Sequence, residues 1–171
     1  MNARRLRGAA QDALTLVDRV LSPVGARFER PSLISFLFHS VFADEAEIER
    51  DAVYPQEAVT RQGLRILIEE FLSRGYRFVT AAEIERGLEV SASCVWLTFD
   101  DGYANNLRMA EVVREYEVPA TLFVATGYVE RGRRFWWDAV YAERRSQGVP
   151  AERIEHEIGR ASCRERVSEC V

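Results

Sequence analysis

Two adjacent carboxylates, Asp100 and Asp101, follow directly on residues 94–99, an apolar run of strand-forming residues. Neighbouring side chains on a chain that leaves a strand point in different directions, so the two carboxylates can do different work. One can hold a cation while the other stays off the metal and accepts a proton. Gly102 permits a tight backbone turn, and a helical pattern begins just after it. Catalytic groups collect at this end of buried strands in α/β proteins, so the stretch predicts an active site.

A structural alternative is that one of the two Asp residues caps the following helix, since Asp is a favoured N-cap. Capping needs only one carboxylate. It explains neither the second Asp nor the apolar strand that leads straight into the pair. The motif in this context therefore favours a catalytic role.

The elements before the pair are predicted from apolar spacing. Residues 33–38 are apolar enough for a strand that is buried on both faces, and His39 lies at its end. A histidine at a strand end is more often packed or capping than a ligand. The acidic residues 43–51 are expected to form a surface loop.

Residues 60–75 have the apolar spacing of a helix that packs on a sheet, with a glycine cap at its end. Residues 76–79 then form a short strand. Thr80 and Glu83 have the spacing of a capping box, which predicts a short helix through residue 87.

After the pair, helical spacing predicts a core-facing helix. Its apolar residues are Leu107, Ala110 and Val113 with the neighbouring Met109, Val112 and Tyr116. Residues 118–126 are the next predicted strand, so the chain forms a parallel, right-handed βαβ unit. Thr126 then lies at the same edge of the sheet as the Asp pair, where it could line a binding site.

The acidic pair lies in a motif that resembles the first motif of the NodB-like polysaccharide deacetylases. Its residues are Thr98, Phe99, Asp100, Asp101, Gly102 and Tyr103. These are metal-dependent hydrolases that remove acetyl groups from N-acetylated sugars, and the resemblance extends over residues 32–138. It implies that Asp100 is the catalytic base and Asp101 a metal ligand. It also implies an α/β fold of the partial, distorted TIM-like (β/α) barrel type, a divalent metal that is most often zinc, and an N-acetylated carbohydrate substrate.

Four further residues are candidates for substrate contacts: Tyr103, Thr126, Trp137 and His39. Trp137 follows a basic turn, and tryptophans often stack on sugar rings, although a Trp pair at a helix start is as often buried packing. The family also supplies two metal-binding histidines in a His-x-x-x-His motif and a later histidine as general acid. This chain has only His39 and His156, far apart, so weak or absent metal binding and no measurable deacetylation are expected of it.

Residues 158–167 resemble one reading frame of a common sequencing adapter and have little apolar periodicity, so we interpret residues 158–171 as an artefactual tail. Residues 1–30 are predicted to form an amphipathic helix and linker. Residues 31–157 would then be the N-terminal part of a deacetylase domain, since a complete TIM barrel takes about 250 residues.

Composition is that of an ordinary soluble globular chain: 171 residues, 47% hydrophobic and 29% charged. A net charge of −4 gives no reason to expect nucleic acid as a partner. No apolar run approaches the roughly 20 residues of a transmembrane helix. No convincing signal peptide is present, so the default prediction is a cytoplasmic protein, and three cysteines do not make a disulfide framework.

Three functional interpretations remain open at this point. The first is a metal-dependent deacetylase fragment, inactive because ligands are missing. The second is a degenerate carbohydrate-binding relative that has lost the metal. The third is a magnesium-dependent phosphoryl-transfer enzyme, against which stands the lack of a glycine-rich phosphate loop near the Asp pair.

Overall fold

The computed structural model describes residues 31–50, 53–88 and 92–168. The predicted amphipathic helix and linker of residues 1–30 lie outside the described residues, and so do residues 169–171. The sheet and the helices that pack on it all lie within the described ranges.

Four parallel strands form one sheet around its central strand β3 (Cys94–Phe99). Strand β1 (Leu33–Phe38) pairs with β3 along its whole length. On the other edge of β3, β2 (Arg77–Phe78) pairs with the first two residues and β4 (Thr121–Leu122) with the last two. Because all pairings are parallel, the segments that follow β1, β3 and β4 leave the sheet at the same end.

Seven α-helices and one 3₁₀ turn connect the strands within the described residues. They are α1 (Glu45–Arg50), α2 (Arg61–Ser73), α3 (Ala81–Glu85), the 3₁₀ turn Ala104–Asn106, α4 (Leu107–Glu115), α5 (Thr126–Val129), α6 (Trp136–Ser146) and α7 (Ala151–Ser168). Local sequence determines several boundaries. The Thr60 hydroxyl accepts a hydrogen bond from the Gly63 amide at the start of α2, and Thr80 and Glu83 form the predicted capping box of α3.

The main core lies between one face of the sheet and helices α2 and α4. From β3 it takes Val95, Leu97 and Phe99, and from the two helices it takes Leu64, Ile68, Met109 and Val112. Fully burying one such side chain stabilises the fold by about 1.5–3 kcal/mol. This core fixes β3, and therefore the residues that follow it, relative to both helices.

A smaller core joins α6 and α7. Its buried residues are Tyr141, Ile154 and Ile158. Helix α7 runs without a break through residue 157 to Ser168, so the predicted boundary of the artefactual tail falls inside a helix. The division of the chain at residue 157 stays a prediction, but Ile158, on its far side, is 5% exposed and belongs to this packed cluster.

Several local predictions were wrong. Strand β1 is not buried on both faces: Leu33 and Leu37 are 41% and 49% exposed, because β1 is an edge strand and the core helices pack only on its Phe36 and Phe38 side. The predicted acidic loop contains α1, whose Glu47 amide donates to the Asp44 carboxylate.

Helix α4 faces the core as predicted, with Met109 and Val112 buried and Val113 and Tyr116 packed against the same cluster. Only Leu107 departs from the prediction: it is the first residue of α4, directly after the 3₁₀ turn, and is 74% exposed. The predicted strand over residues 118–126 is reduced to two residues, and its last residue, Thr126, begins α5 instead. The mixed α/β architecture with a parallel sheet agrees with the prediction, whereas closure into a barrel is not seen in the described residues. None of the described helices is both long and apolar enough to cross a bilayer.

Candidate active site

The backbone around Asp100 and Asp101 is held from two sides. The Asp100 amide donates to the Phe38 carbonyl at 2.8 Å, and the Asp101 carbonyl accepts from the Ala125 amide at 3.2 Å. The Asp pair therefore lies between the segments that follow β1 and β4, at the carboxyl ends of parallel strands.

Two consecutive residues of this turn have left-handed backbone conformations. Asp101 has φ +72° and Gly102 has φ +77°, and the Gly102 amide donates to the Asp100 carbonyl at 2.9 Å. Asp tolerates this region better than most residues do, and Gly adopts it freely. A Cβ added at Gly102 would lie 2.9 Å from Cγ1 of Val124, so the close approach also requires glycine.

Neither Asp caps the following helix. The N-cap positions of the 3₁₀ turn and of α4 are Tyr103 and Asn106, and neither makes a side-chain capping hydrogen bond. Oδ1 of Asp100 and Oδ2 of Asp101 are buried, and neither has a hydrogen-bond partner among the described residues. Burial raises the pKa of Asp101, with smaller contributions from the charges of Asp100 and Glu57, while His39 opposes the shift. A buried carboxylate oxygen without a partner is costly unless a ligand, proton or cation satisfies it.

His39 forms a pair with Glu57 beside the carboxylates. Its Nδ1 lies 3.0 Å from Oε1 of Glu57, and its amide donates to Oε2 at 3.2 Å. The hydrogen bond with Glu57 raises the pKa of His39, and the charges of Asp101 and Asp100 add to this, whereas burial opposes it. The pKa of Glu57 is lowered, because its bonds to His39 outweigh the effect of burial. His39, Asp101 and Trp137 line one cavity of about 250 Å³.

Tyr103, Trp137 and Asp138 form a hydrogen-bonded chain. Nε1 of Trp137 donates to the Tyr103 hydroxyl at 2.8 Å, which in turn donates to Oδ2 of Asp138 at 2.9 Å. The other oxygen of Asp138 accepts from the Tyr54 amide at 2.8 Å. Burial raises the pKa of Tyr103 and that of Asp138, which is 3% exposed. The polar atoms of Tyr103 and Trp137 are thus already engaged, and only their ring surfaces are left for a ligand.

A second cavity, of about 380 Å³, shares Asp101 with the first. Tyr103, Tyr128, Arg133 and Arg134 also contribute to its wall. The two cavities meet at Asp101, and their size suits a small ligand such as one or two sugar rings.

The structure brings most of the sequence-predicted residues together. Asp101 lines both cavities. It shares the larger one with Tyr103 and the smaller one with His39 and Trp137, and Asp100 precedes it in the chain. Thr126 is exposed and lines neither cavity, so the structure does not place it with the others.

Sequence reasoning missed Glu57 and Asp138 as members of the site. Glu57 is 18 positions from His39 and no motif joins them. Asp138 could have been singled out, because a carboxylate directly after two tryptophans at a helix start is an unusual neighbour for apolar rings.

A complete zinc site is not formed by the described residues. Among them, no three His, Cys, Asp or Glu side chains come together as a group that could hold a metal ion. Asp101 offers one unpartnered oxygen, Nδ1 of His39 is bonded to Glu57, and His156 is exposed on α7. A zinc hydrolase commonly uses three protein ligands, so the described residues do not complete such a centre.

Comparison with known proteins agrees with the motif. Residues 87–160 match the family model described as polysaccharide deacetylase, which confirms the resemblance predicted from residues 98–103. One matching solved structure is the Streptococcus pyogenes deacetylase PplD in complex with acetate, with 24% sequence identity and a TM-score of 0.45. The match covers 61% of this chain and 46% of that one, so this chain spans less than half of that deacetylase. A comparison with curated proteins found no significant match.

Proposed function

We propose that this chain, with its polysaccharide deacetylase match over residues 87–160, carries the first part of an active site that hydrolyses the acetamide of an N-acetylated sugar. The supporting observation is the geometry of Asp100 and Asp101. Each has a buried oxygen without a partner among the described residues, at the carboxyl end of a parallel strand, and Asp101 also lines a cavity. Two such oxygens suit a site that binds and moves charge better than a site that only supports the fold.

The roles of the two carboxylates follow from the reaction. In amide hydrolysis a water molecule loses a proton as its oxygen attacks the acetyl carbon. The sugar nitrogen gains a proton as the C–N bond breaks, which gives acetate and an amine, and in the family a later histidine supplies that proton. Asp100 is proposed as the base that takes the proton of this water. Asp101 is proposed as the one metal ligand that this chain supplies, and a divalent metal, most often zinc in the family, would contribute Lewis acidity when bound.

The chain by itself is proposed to bind metal weakly or not at all and to show no measurable deacetylation. This follows from the small ligand set among the described residues. The degenerate carbohydrate-binding relative is therefore the second candidate, since a cavity with aromatic walls can bind a sugar without catalysis. The family match gives no support to the phosphoryl-transfer alternative.

The sheet is proposed to be part of a distorted (β/α) barrel. Leu33, Leu37 and Phe123 are exposed, and they lie on the face of the sheet opposite the core helices. The ring of Phe123 also meets that of Trp96 on this face, with 6.3 Å between ring centroids. Apolar side chains on the face away from the helices are what the interior of a barrel requires.

The proposed function is tested by sugar binding to the purified chain. We expect a tri-N-acetylated glucosamine oligomer to bind more tightly than its fully deacetylated form, as measured by titration calorimetry, because only the former presents the acetamide. Asp101→Asn should change this selectivity. Glu152→Gln, an exposed change on α7, is the control that should leave it intact. Equal binding of both oligomers, or binding of neither, would show that the cavity beside Asp101 does not recognise an acetamide.

The response to zinc distinguishes the metal-dependent deacetylase from the degenerate carbohydrate-binding relative. A second titration with zinc and no sugar measures the metal affinity of the chain, and Asp101→Asn should remove whatever weak affinity is found. Robust acetate release by the unmodified chain, lost in Asp101→Asn, would show that ligands outside our proposal complete the site. Sugar binding that is indifferent to zinc and to Asp101 would favour the carbohydrate-binding relative.

A further inference from the structure

The larger cavity beside Asp101 has a cationic part of its wall that the proposed chemistry does not use. Arg133 and Arg134 line it together with Asp101 and the ring of Tyr128. A neutral N-acetylated sugar needs no cation for its recognition, so two guanidinium groups in the same cavity require a separate explanation.

The turn that carries the two arginines is well fixed. The Arg133 amide donates to the Tyr128 carbonyl at 3.1 Å, and the Gly132 amide donates to the Val129 carbonyl at 3.2 Å. Below the turn, the ring of Phe135 is buried and stacks on Tyr128 with 4.4 Å between ring centroids. The positions of Arg133 and Arg134 at the cavity are thus set by a packed and hydrogen-bonded segment.

The side chains of these two arginines are not engaged in ion pairs. Several other arginines in the described part of the chain pair with a glutamate: Arg61, Arg65, Arg74, Arg77, Arg108 and Arg144. Within that same part, Arg133 and Arg134 make no side-chain hydrogen bond and no ion pair, and Arg134 acts only through space on the buried Asp138. Their guanidinium donors are therefore free for a ligand, and a guanidinium matches a carboxylate or a phosphate in two-point geometry.

We infer that the larger cavity takes an anionic glycan, in which the N-acetylated sugar beside Asp101 is joined to a group bearing a carboxylate or a phosphate that Arg133 and Arg134 bind. This inference rests on the proposed function. The wall of this cavity carries both charges: the carboxyl groups of Asp101 and Asp138 and the guanidinium groups of Arg133 and Arg134. Both polar oxygens of Asp138 already accept hydrogen bonds from Tyr54 and Tyr103, whereas the two guanidinium groups make none within the described ranges, so an anionic substituent is expected to bind at the arginines and away from the carboxyl group of Asp101.

The test compares three ligands of the same length: a neutral N-acetylglucosamine disaccharide, the same disaccharide with a carboxylate substituent, and the same disaccharide with a phosphate monoester. Dissociation constants are measured by titration calorimetry on the purified chain at low salt. We expect an anionic form to bind about tenfold more tightly than the neutral form, which corresponds to about 1.4 kcal/mol. The two anionic arms show which of the two groups the site takes. Higher ionic strength should reduce the preference.

The double variant Arg133→Gln with Arg134→Gln should abolish the preference, so that it binds the neutral and the anionic disaccharides with equal affinity. Arg131→Gln is the matched control, because it removes a charge from the same turn but not from the cavity wall. If the unmodified chain binds neutral and anionic disaccharides equally, the inference is overturned and the proposed function still stands. An equal loss of preference in Arg131→Gln also overturns the inference, because the preference would then come from the overall positive charge of the turn and not from the cavity wall. Binding of none of the three ligands overturns both proposals.

Discussion

Replacement of Gly102 by alanine is expected to be much more damaging than an ordinary Gly→Ala change. The residue has φ +77°, which costs an L-residue about 1–2 kcal/mol. The new Cβ would also lie 2.9 Å from Cγ1 and 3.5 Å from Cβ of Val124, so the segment after β4 must shift. Overpacking of this kind costs about 1–3 kcal/mol. The two effects together predict a loss of about 3 kcal/mol in the free energy of unfolding.

Two other glycines separate these effects. Gly75 has the same φ of +77°, but an added Cβ meets no atom within 4 Å, so Gly75→Ala measures the backbone cost alone, about 1 kcal/mol. Gly127 has neither a positive φ nor a close neighbour, and Gly127→Ala should lie within about 0.5 kcal/mol of the parent chain.

The assay is equilibrium unfolding in urea, followed by far-ultraviolet circular dichroism. The double variant Gly102→Ala with Val124→Ala should recover the steric part of the loss but not the backbone part, since Val124 supplies the clashing methyl group. If Gly102→Ala costs no more than Gly75→Ala, the close approach between the turn and residue 124 does not exist in solution, and the described geometry of the Asp pair is wrong.

The remaining predictions use the same unfolding assay. Thr80→Ala should cost about 1 kcal/mol, since the hydroxyl caps α3. The hydrogen bonds of the capping box lower the pKa of Glu83 to about 2. The ionised Glu83 carboxylate therefore stabilises the fold fully above the pKa that it has in the unfolded chain, and this stabilisation is lost as the pH falls toward 2. Glu83→Ala should destabilise the chain at pH 7 but not at pH 2. Asp138→Ala should lower the free energy of unfolding by about 3 kcal/mol, because it leaves two buried donors without their acceptor. Asp138→Asn keeps one acceptor and removes a buried charge, so it should lower the free energy of unfolding by about 1 kcal/mol. Ile158→Ala should cost about 2–4 kcal/mol, as a large-to-small change at a buried position.

Three of these predictions have a control variant, and Glu83→Ala is controlled by its own pH dependence. Thr80→Ser keeps the capping oxygen and should be nearly neutral. Tyr103→Phe removes one of the two donors to Asp138 and should cost less than Asp138→Ala. Glu155→Ala, at an exposed position of α7 close to Ile158, should be nearly neutral. An Ile158→Ala variant as stable as the parent would show that the α6 and α7 cluster does not form, and a pH-independent effect of Glu83→Ala would show that its carboxylate does not cap α3.

The elements that sequence predicted well are those with local causes. The apolar run before Asp100 is strand β3, and the three-residue spacing of Thr80 and Glu83 is a capping box. The periodicity of residues 60–75 is helix α2, which begins after a threonine cap and is followed by Gly75 with φ +77°. The capping box and the helix depend on contacts within a few residues of the chain, and β3 is marked by a continuous apolar run, so a single sequence records all three directly.

Burial of β1 and exposure of Leu107 could not be predicted in this way. Both depend on which surfaces other elements cover, and apolar composition alone does not show this. Leu33 and Leu37 are as apolar as Phe36, yet only Phe36 packs against the core that α2 and α4 complete. Leu107 fits the helical spacing, but it is the first residue of α4, directly after the 3₁₀ turn, and is 74% exposed.

Residues of the candidate site also differ in whether local sequence reveals them. Asp100 and Asp101 are adjacent, so their motif is visible in the sequence, and their catalytic roles stay predictions. Glu57 and Asp138 enter the site through contacts that span 18 and 35 positions, to His39 and Tyr103 respectively. No spacing rule reaches so far, and such partners are found only when the fold is known.

The interpretation of residues 158–171 depends on the same distinction between local and long-range contacts. Continuation of α7 past residue 157 is weak evidence that the sequence there is native, because helix formation follows local propensity and any helix-compatible segment can extend a helix. Burial of Ile158 beside Tyr141 and Ile154 is a different kind of observation, since it needs complementarity with α6. The family match also runs to residue 160, past the predicted boundary. If Ile158 proves to stabilise the chain, the native sequence extends at least to that residue, and any foreign tail begins after it.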